Sequence, residues 1–98
     1  MMYLHLGGDT VVDSESIIGI FDLDNATLSV KTRELLSRAQ KEGRIVYVSY
    51  DLPRSFVVCM ERNGYIIYIC QLSSLTLLKR ATEVSGIPGF TALKGNGA

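Results

Sequence analysis

Residues 55–70 read SFVVCMERNGYIIYIC, and this run decides the fold. Ser55–Glu61 and Tyr65–Cys70 are rich in β-branched and aromatic residues, which suit the pleated surface of a strand. Between them stands Asn63-Gly64. That pair tolerates the positive φ needed at both centres of a type I′ hairpin turn. A two-residue turn there sets Val57 opposite Cys70, Cys59 opposite Tyr68 and Glu61 opposite Ile66. The other face then pairs Val58 with Ile69 and Met60 with Ile67. Both faces are apolar for most of their length, so both must be covered. Two short helices can cover one face, and the surplus predicts that another protomer covers part of the rest. In this register Cys59 and Cys70 are diagonal neighbours, roughly 7–8 Å apart, too far for an easy disulfide. They read as buried thiols serving as small apolar residues.

Working back from the hairpin, VSYDLPRSFVV (residues 48–58) joins it to an earlier strand, Arg44–Tyr50. Pro53 fixes φ and removes a backbone donor at that connection. Leu28–Glu42 has a helical stripe of Leu28, Thr32, Leu35, Leu36 and Ala39. Thr27 or Ser29 can cap its start, and Gly43 suits the position just past its end. Lys31, Arg33, Arg38 and Lys41 fall on its polar side. Nearer the N-terminus, Met2–Leu6 and Thr10–Val12 form a hairpin around the Gly7-Gly8-Asp9 turn. Ser16–Phe21 is a stronger strand, followed by a polar loop over Asp22–Thr27. Beyond the central hairpin, Ser73 or Ser74 can cap a second helix, roughly Leu75–Thr82. The expected architecture is an α+β domain, a mostly antiparallel sheet of about five to six short strands with two helices. Residues 1–84 make the single domain. Residues 85–98, Gly-rich, make an irregular tail.

The chain has 98 residues and a formal net charge of zero. Residues 1–24 hold Asp9, Asp13, Glu15, Asp22 and Asp24 and no Lys or Arg. All ten Lys and Arg, with the other five acids, follow. The halves thus carry about −5 and +5, a split that invites a charged partner or head-to-tail self-association. A mixed, solvated surface is the blander reading of the same charges. No apolar run has the length of a membrane span, and the N-terminus lacks the regions of a signal peptide, so a cytoplasmic protein is expected.

Catalytic chemistry is poorly supplied. His5 is the sole histidine, so neither a Ser-His-Asp nor a Cys-His arrangement is indicated. On an N-terminal strand it suits a surface or packing role. Asp22-Leu23-Asp24 lacks the further ligands of a metal site, and Gly7-Gly8-Asp9 lacks the spacing of a phosphate loop. No enzyme, metal or cofactor is expected. Basic groups remain: Arg44 opens a strand, Arg54 follows Pro53, Arg62 borders the turn, and Lys79-Arg80 lies on the last helix. Arginine offers a fork of donors suited to phosphate. One small domain can hardly make the roughly six to ten phosphate contacts of a DNA binder, whereas several copies can.

Four segments in order carry a family resemblance: YLHLGGDTVV, SIIGIFD, VSYDLPRSFVV and YICQLSSLTLLKRA (Tyr68–Ala81). Together, over residues 2–81, they resemble the extracellular matrix regulatory proteins, nearer their RemB branch than their RemA branch. The resemblance implies a small bacterial cytoplasmic regulator. RemA-type relatives activate transcription of biofilm-matrix genes, form ring-like oligomers and present arginines to DNA on a LytTR-like fold. Carried to this chain, it implies a homo-oligomer acting on double-stranded DNA, with Arg54 as the main contact and Lys79 and Arg80 as weaker ones. One departure stands out. Relatives of the RemA type carry adjacent arginines after the strand that ends in Tyr. Aligned from Tyr50, this chain reads YDLPRSFV, with Leu52 and Pro53 at those places and Ser55 where a further arginine stands. The alternative implied is an oligomeric module that binds a protein or small ligand through residues 51–54 and has lost direct DNA binding.

Overall fold

The computed structural model describes residues 2–26 and 29–85. In chain order the elements are β1 (Tyr3–Gly7), β2 (Thr10–Asp13), a single 3-10 turn (Ser14–Ser16), β3 (Ile17–Asp22), α1 (Leu23–Ala26), α2 (Val30–Lys41), β4 (Ile45–Tyr47), β5 (Ser55–Glu61), β6 (Gly64–Cys70) and α3 (Ser74–Ser85). The α+β class holds. β1 and β2 form their own hairpin, and the other strands make one sheet in the order β3-β5-β6-β4. Leu28 of the expected helical stripe, Thr27 of the expected loop and cap, and the tail from residue 86 onward lie outside the described residues.

The central hairpin forms with a register two residues away from the expected one. Val57 faces Tyr68, Cys59 faces Ile66, and Glu61 faces Gly64, so Arg62 and Asn63 make the turn. Among the described residues only glycines have positive φ, which excludes a type I′ turn at Asn63. Gly64, at φ +114°, takes the unusual conformation. A Cβ there would stand 2.8 Å from a guanidinium nitrogen of Arg44, so a side chain would also push that guanidinium aside. Because side chains alternate with period two, a slip of two keeps every residue on its expected face and changes only its partner. Cys59 and Cys70 accordingly remain on one face as buried free thiols.

Two further expectations need correction. β4 is shorter than Arg44–Tyr50 and pairs in parallel with β6, with Ile45 opposite Ile67 and Tyr47 opposite Ile69. Residues 48–54 therefore do not close a hairpin between neighbouring strands, because β6 lies between β4 and β5. The cause is topological. β3 and β4 both run parallel to β6, and a parallel return needs a long crossover, here α1 and α2. The helices also do not share a face. On one side Leu77 and Ala81 of α3 join Leu4, Leu6 and Val12 of the β1–β2 hairpin over Ile20, Val57, Cys59 and Cys70. On the other, Ala39 and Leu36 of α2 cover Phe56, Val58, Ile67 and Ile69. The chain covers much of both sheet faces by itself, so an apolar surplus is no longer the reason to expect a partner.

Local chemistry fixes each helix end. Ser29 caps α2, its hydroxyl accepting from the Thr32 amide at 3.4 Å. At the far end the Gly43 amide donates to Gln40 and the Arg44 amide to Ala39, the paired bonds of a Schellman motif, with Gly43 at φ +70°. Along α2 the inward stripe is Thr32, Leu36 and Ala39, while Leu35 is turned outward. The expected loop after β3 contains one helical turn because Asp22 accepts from the amides of Asp24 and Asn25. Phe21 stacks on Phe56 with centroids 4.8 Å apart, worth about 0.5–1.5 kcal/mol beyond their burial. Among the described residues no helix is long and apolar enough to cross a membrane.

Candidate nucleic-acid interface

Arg54 is held by its backbone, and its exposed side chain has no hydrogen-bond or ion-pair partner among the described residues. It precedes the first residue of β5. Its amide donates to the Cys70 carbonyl at 2.9 Å, and its carbonyl accepts from the Leu23 amide at 3.0 Å. Immediately after it, the fully buried Ser55 donates its hydroxyl to the Leu72 carbonyl at 2.6 Å. These bonds tie the start of β5 to the end of β6 and to the α1 turn. The Arg54 side chain projects from this fixed frame into solvent.

The preceding loop stands away from the body. Tyr50 is 99% exposed and Leu52 is 85% exposed, with exposed Asp51 between them. Ser49 anchors the loop's first bend, donating to the Gln71 side chain at 3.1 Å and accepting from the Asp51 amide at 3.2 Å. Pro53 lines an open groove of about 370 Å³ with Leu23, Leu36, Gln40, Ile45 and Tyr47. The exposure of Tyr50 and Leu52 is the feature that sequence reasoning missed. The apolar run Arg44–Tyr50 reads as strand to its end, which hides the exposure of Tyr50.

Lys79 and Arg80 are exposed on α3. Ser73 caps this helix, accepting from the Thr76 amide at 3.2 Å. Arg80 donates to the His5 carbonyl on β1 at 3.3 Å, so part of its donor fork is spent within the fold. His5, exposed on β1, hydrogen-bonds the Gly8 carbonyl at 2.7 Å across the β1–β2 turn. Arg54 lies just ahead of β5, while Arg80 lies on α3, about 9 Å along the helix axis from its first residue. Arg54 and the Lys79–Arg80 pair therefore stand on two separate supports, the start of β5 and helix α3.

The remaining basic and reactive groups divide clearly. Arg44 is engaged: it donates to the Tyr65 and Asn63 carbonyls at 3.0 and 3.4 Å, pairs with Glu42 at 3.2 Å, and lies 5.0 Å from the Tyr65 ring centroid. Arg62 is exposed at the β5–β6 turn, the opposite end of the sheet from Arg54. Burial pushes the Cys59 thiol up to about 11 and the Cys70 thiol up to about 12, so both are protonated near neutrality. Burial, aided by the hydrogen bond it donates to Glu61 at 2.9 Å, also raises the Tyr68 phenol.

Fold and site together define a small α+β domain that displays a basic side chain from a clamped strand junction. No protein-family model matches the chain. It is 40% identical over 80 residues to the extracellular matrix regulatory protein B of Bacillus subtilis (strain 168), covering 82% of this chain and 90% of that protein. The chain belongs to the extracellular matrix regulatory protein family, the RemA/RemB regulators of the biofilm matrix, on its RemB side.

Proposed function

We propose that the chain is a cytoplasmic, DNA-associated transcriptional regulator of matrix genes that acts as a homo-oligomer, by binding rather than catalysis. The observation that carries this reading is Arg54: an exposed guanidinium on a backbone hydrogen-bonded from both sides. A fixed frame lowers the entropy lost when the side chain engages a phosphate, and the guanidinium fork fits phosphate oxygens. Lys79 and Arg80 serve as secondary contacts. One such site per subunit is weak, so repetition through an oligomer supplies the affinity. The test is a titration of matrix-promoter duplex with the wild type and Arg54→Ala at two salt concentrations. Binding that weakens with salt and with the substitution supports the reading. Absence of duplex binding by the wild type at low salt overturns it.

A second reading has its own observation. Tyr50 and Leu52 offer apolar surface around an acidic residue, next to an apolar groove. That combination suits a protein or ligand partner better than a phosphate backbone. A wild type that binds no duplex at low salt, together with a folded Leu52→Ser chain that loses regulation in cells, favours this second reading.

A further inference from the structure

Arg54 ends a loop tip whose other side chains do not suit phosphate. Tyr50, Asp51, Leu52 and Pro53 lead into it, all exposed, and no lysine or arginine occurs between Arg44 and Arg54. The Asp51 carboxylate repels a phosphate backbone, and the aliphatic Leu52 gains nothing from one. Both ends of the tip are nevertheless fixed. On one side the Ser49 hydroxyl donates to the Gln71 side chain at 3.1 Å and accepts from the Asp51 amide at 3.2 Å. On the other, the Arg54 amide donates to the Cys70 carbonyl and the Ser55 hydroxyl to the Leu72 carbonyl. The consecutive residues Cys70, Gln71 and Leu72 thus hold both ends, and a tip anchored this way loses less entropy on binding.

The edges of base pairs supply what phosphates do not. In the major groove cytosine shows an N4 amino donor, which a carboxylate can accept from, and thymine shows a C5 methyl, on which an apolar side chain packs. Asp51 and Leu52 place those two groups side by side. The minor groove fits them poorly: it shows no methyl, its one donor is the guanine amino group, and its negative potential favours cations. Reach agrees with the major groove. Leu52 and Asp51 stand two and three residues before Arg54, at most about 7 and 11 Å along the chain. The groove is about 8.5 Å deep and 12 Å wide. With Arg54 on a phosphate at its lip, the tip reaches the base edges.

We infer that this tip reads sequence in the DNA major groove, Leu52 packing on a thymine methyl and Asp51 accepting from a cytosine amino group. The assignment rests on the proposed DNA association and adds to it the bases that are read. Arg54 then sets the position on the backbone, and its two neighbours specify the sequence.

The test uses the full chain and three duplexes: the matrix promoter, the same promoter with every thymidine replaced by deoxyuridine, and a scrambled sequence. Deoxyuridine deletes only the C5 methyl. One buried methyl corresponds to about fourfold in affinity, so the wild type is expected to bind the uracil duplex at least about fourfold more weakly than the natural one. Leu52→Ser is expected to bind those two duplexes alike. Asp51→Ala is expected to bind the scrambled duplex more tightly than the wild type does, because a repelling charge is gone, and to lose preference for the promoter. Both positions are exposed, and circular dichroism checks that each variant is folded. A wild type indifferent to the methyls, a Leu52→Ser chain that keeps the full methyl sensitivity, or an Asp51→Ala chain that keeps the full promoter preference overturns the inference and leaves the DNA association standing. A wild type that binds none of the duplexes at low salt overturns both.

Discussion

Arg44 and Arg54 stand ten residues apart, each just ahead of a strand, and the fold treats them oppositely. The guanidinium of Arg44 is spent on two carbonyls, one carboxylate and one aromatic ring at the β5–β6 turn. In Arg54 the backbone makes the bonds and the guanidinium remains in solvent. The difference follows from what each strand lacks. β4 is three residues long on an open edge, and Arg44 ties it to the neighbouring turn. β5 is central, and its own ladder with the Ser55–Leu72 bond holds the start in place. One guanidinium is thus spent within the fold, and the other stays in solvent.

The sharpest way to break this contrast is at the turn that Arg44 serves. Gly64→Ala is expected to destabilise the protein by about 2–3 kcal/mol, because φ +114° strains any Cβ and the added methyl displaces Arg44. Chemical denaturation measures it. Arg44→Ala should cost less, about 1–2 kcal/mol, since its bonds are partly exposed and screened. The two losses should add to less than their sum in the double variant, as one already includes part of the other. Full additivity would mean that Gly64 matters for its φ alone.

At the other junction, Ser55→Ala removes a buried hydroxyl from the Leu72 carbonyl and leaves that acceptor unpaired, an expected loss of about 1–2 kcal/mol. If the bond holds the frame under Arg54, the same variant also lowers duplex affinity, while Arg44→Ala does not once differences in folding are corrected. Equal effects of the two variants on binding would erase the distinction between the arginines.

How much of this was readable from the residues follows from the range of the interactions. Strand and helix positions were legible because their signals are local: β-branched runs, Ser29 and Ser73 as caps, Gly43 past a helix end. The family resemblance was legible too, since four short segments in order carry it. The register differs from expectation because turn propensity at Asn63-Gly64 is local, whereas Arg44, nineteen residues before Asn63, fills the space beside Gly64. The placement of β4 failed for a related reason. Val46 and Tyr47 suit any edge, and only the crossover through α2 brings them to β6 rather than β5. The separate roles of Arg44 and Arg54 were invisible because the two look alike in sequence. Each is a lone arginine before an apolar run, and only their tertiary partners differ.

The smallest expected effect on stability is also the most diagnostic for function. Arg54→Ala removes no side-chain bond among the described residues, so its melting temperature should stay within about 2 °C of the wild type. Its duplex affinity should nevertheless fall. The slope of log affinity against log salt should also become shallower by about 1 for each subunit that engages a phosphate. Arg54→Lys separates two explanations for that loss. If only charge matters, lysine restores both slope and affinity; if the guanidinium fork matters, it restores the slope but not the affinity. A melting temperature that drops with Arg54→Ala as far as with Arg44→Ala would show that both arginines serve the fold, and the contrast between the two junctions would fail.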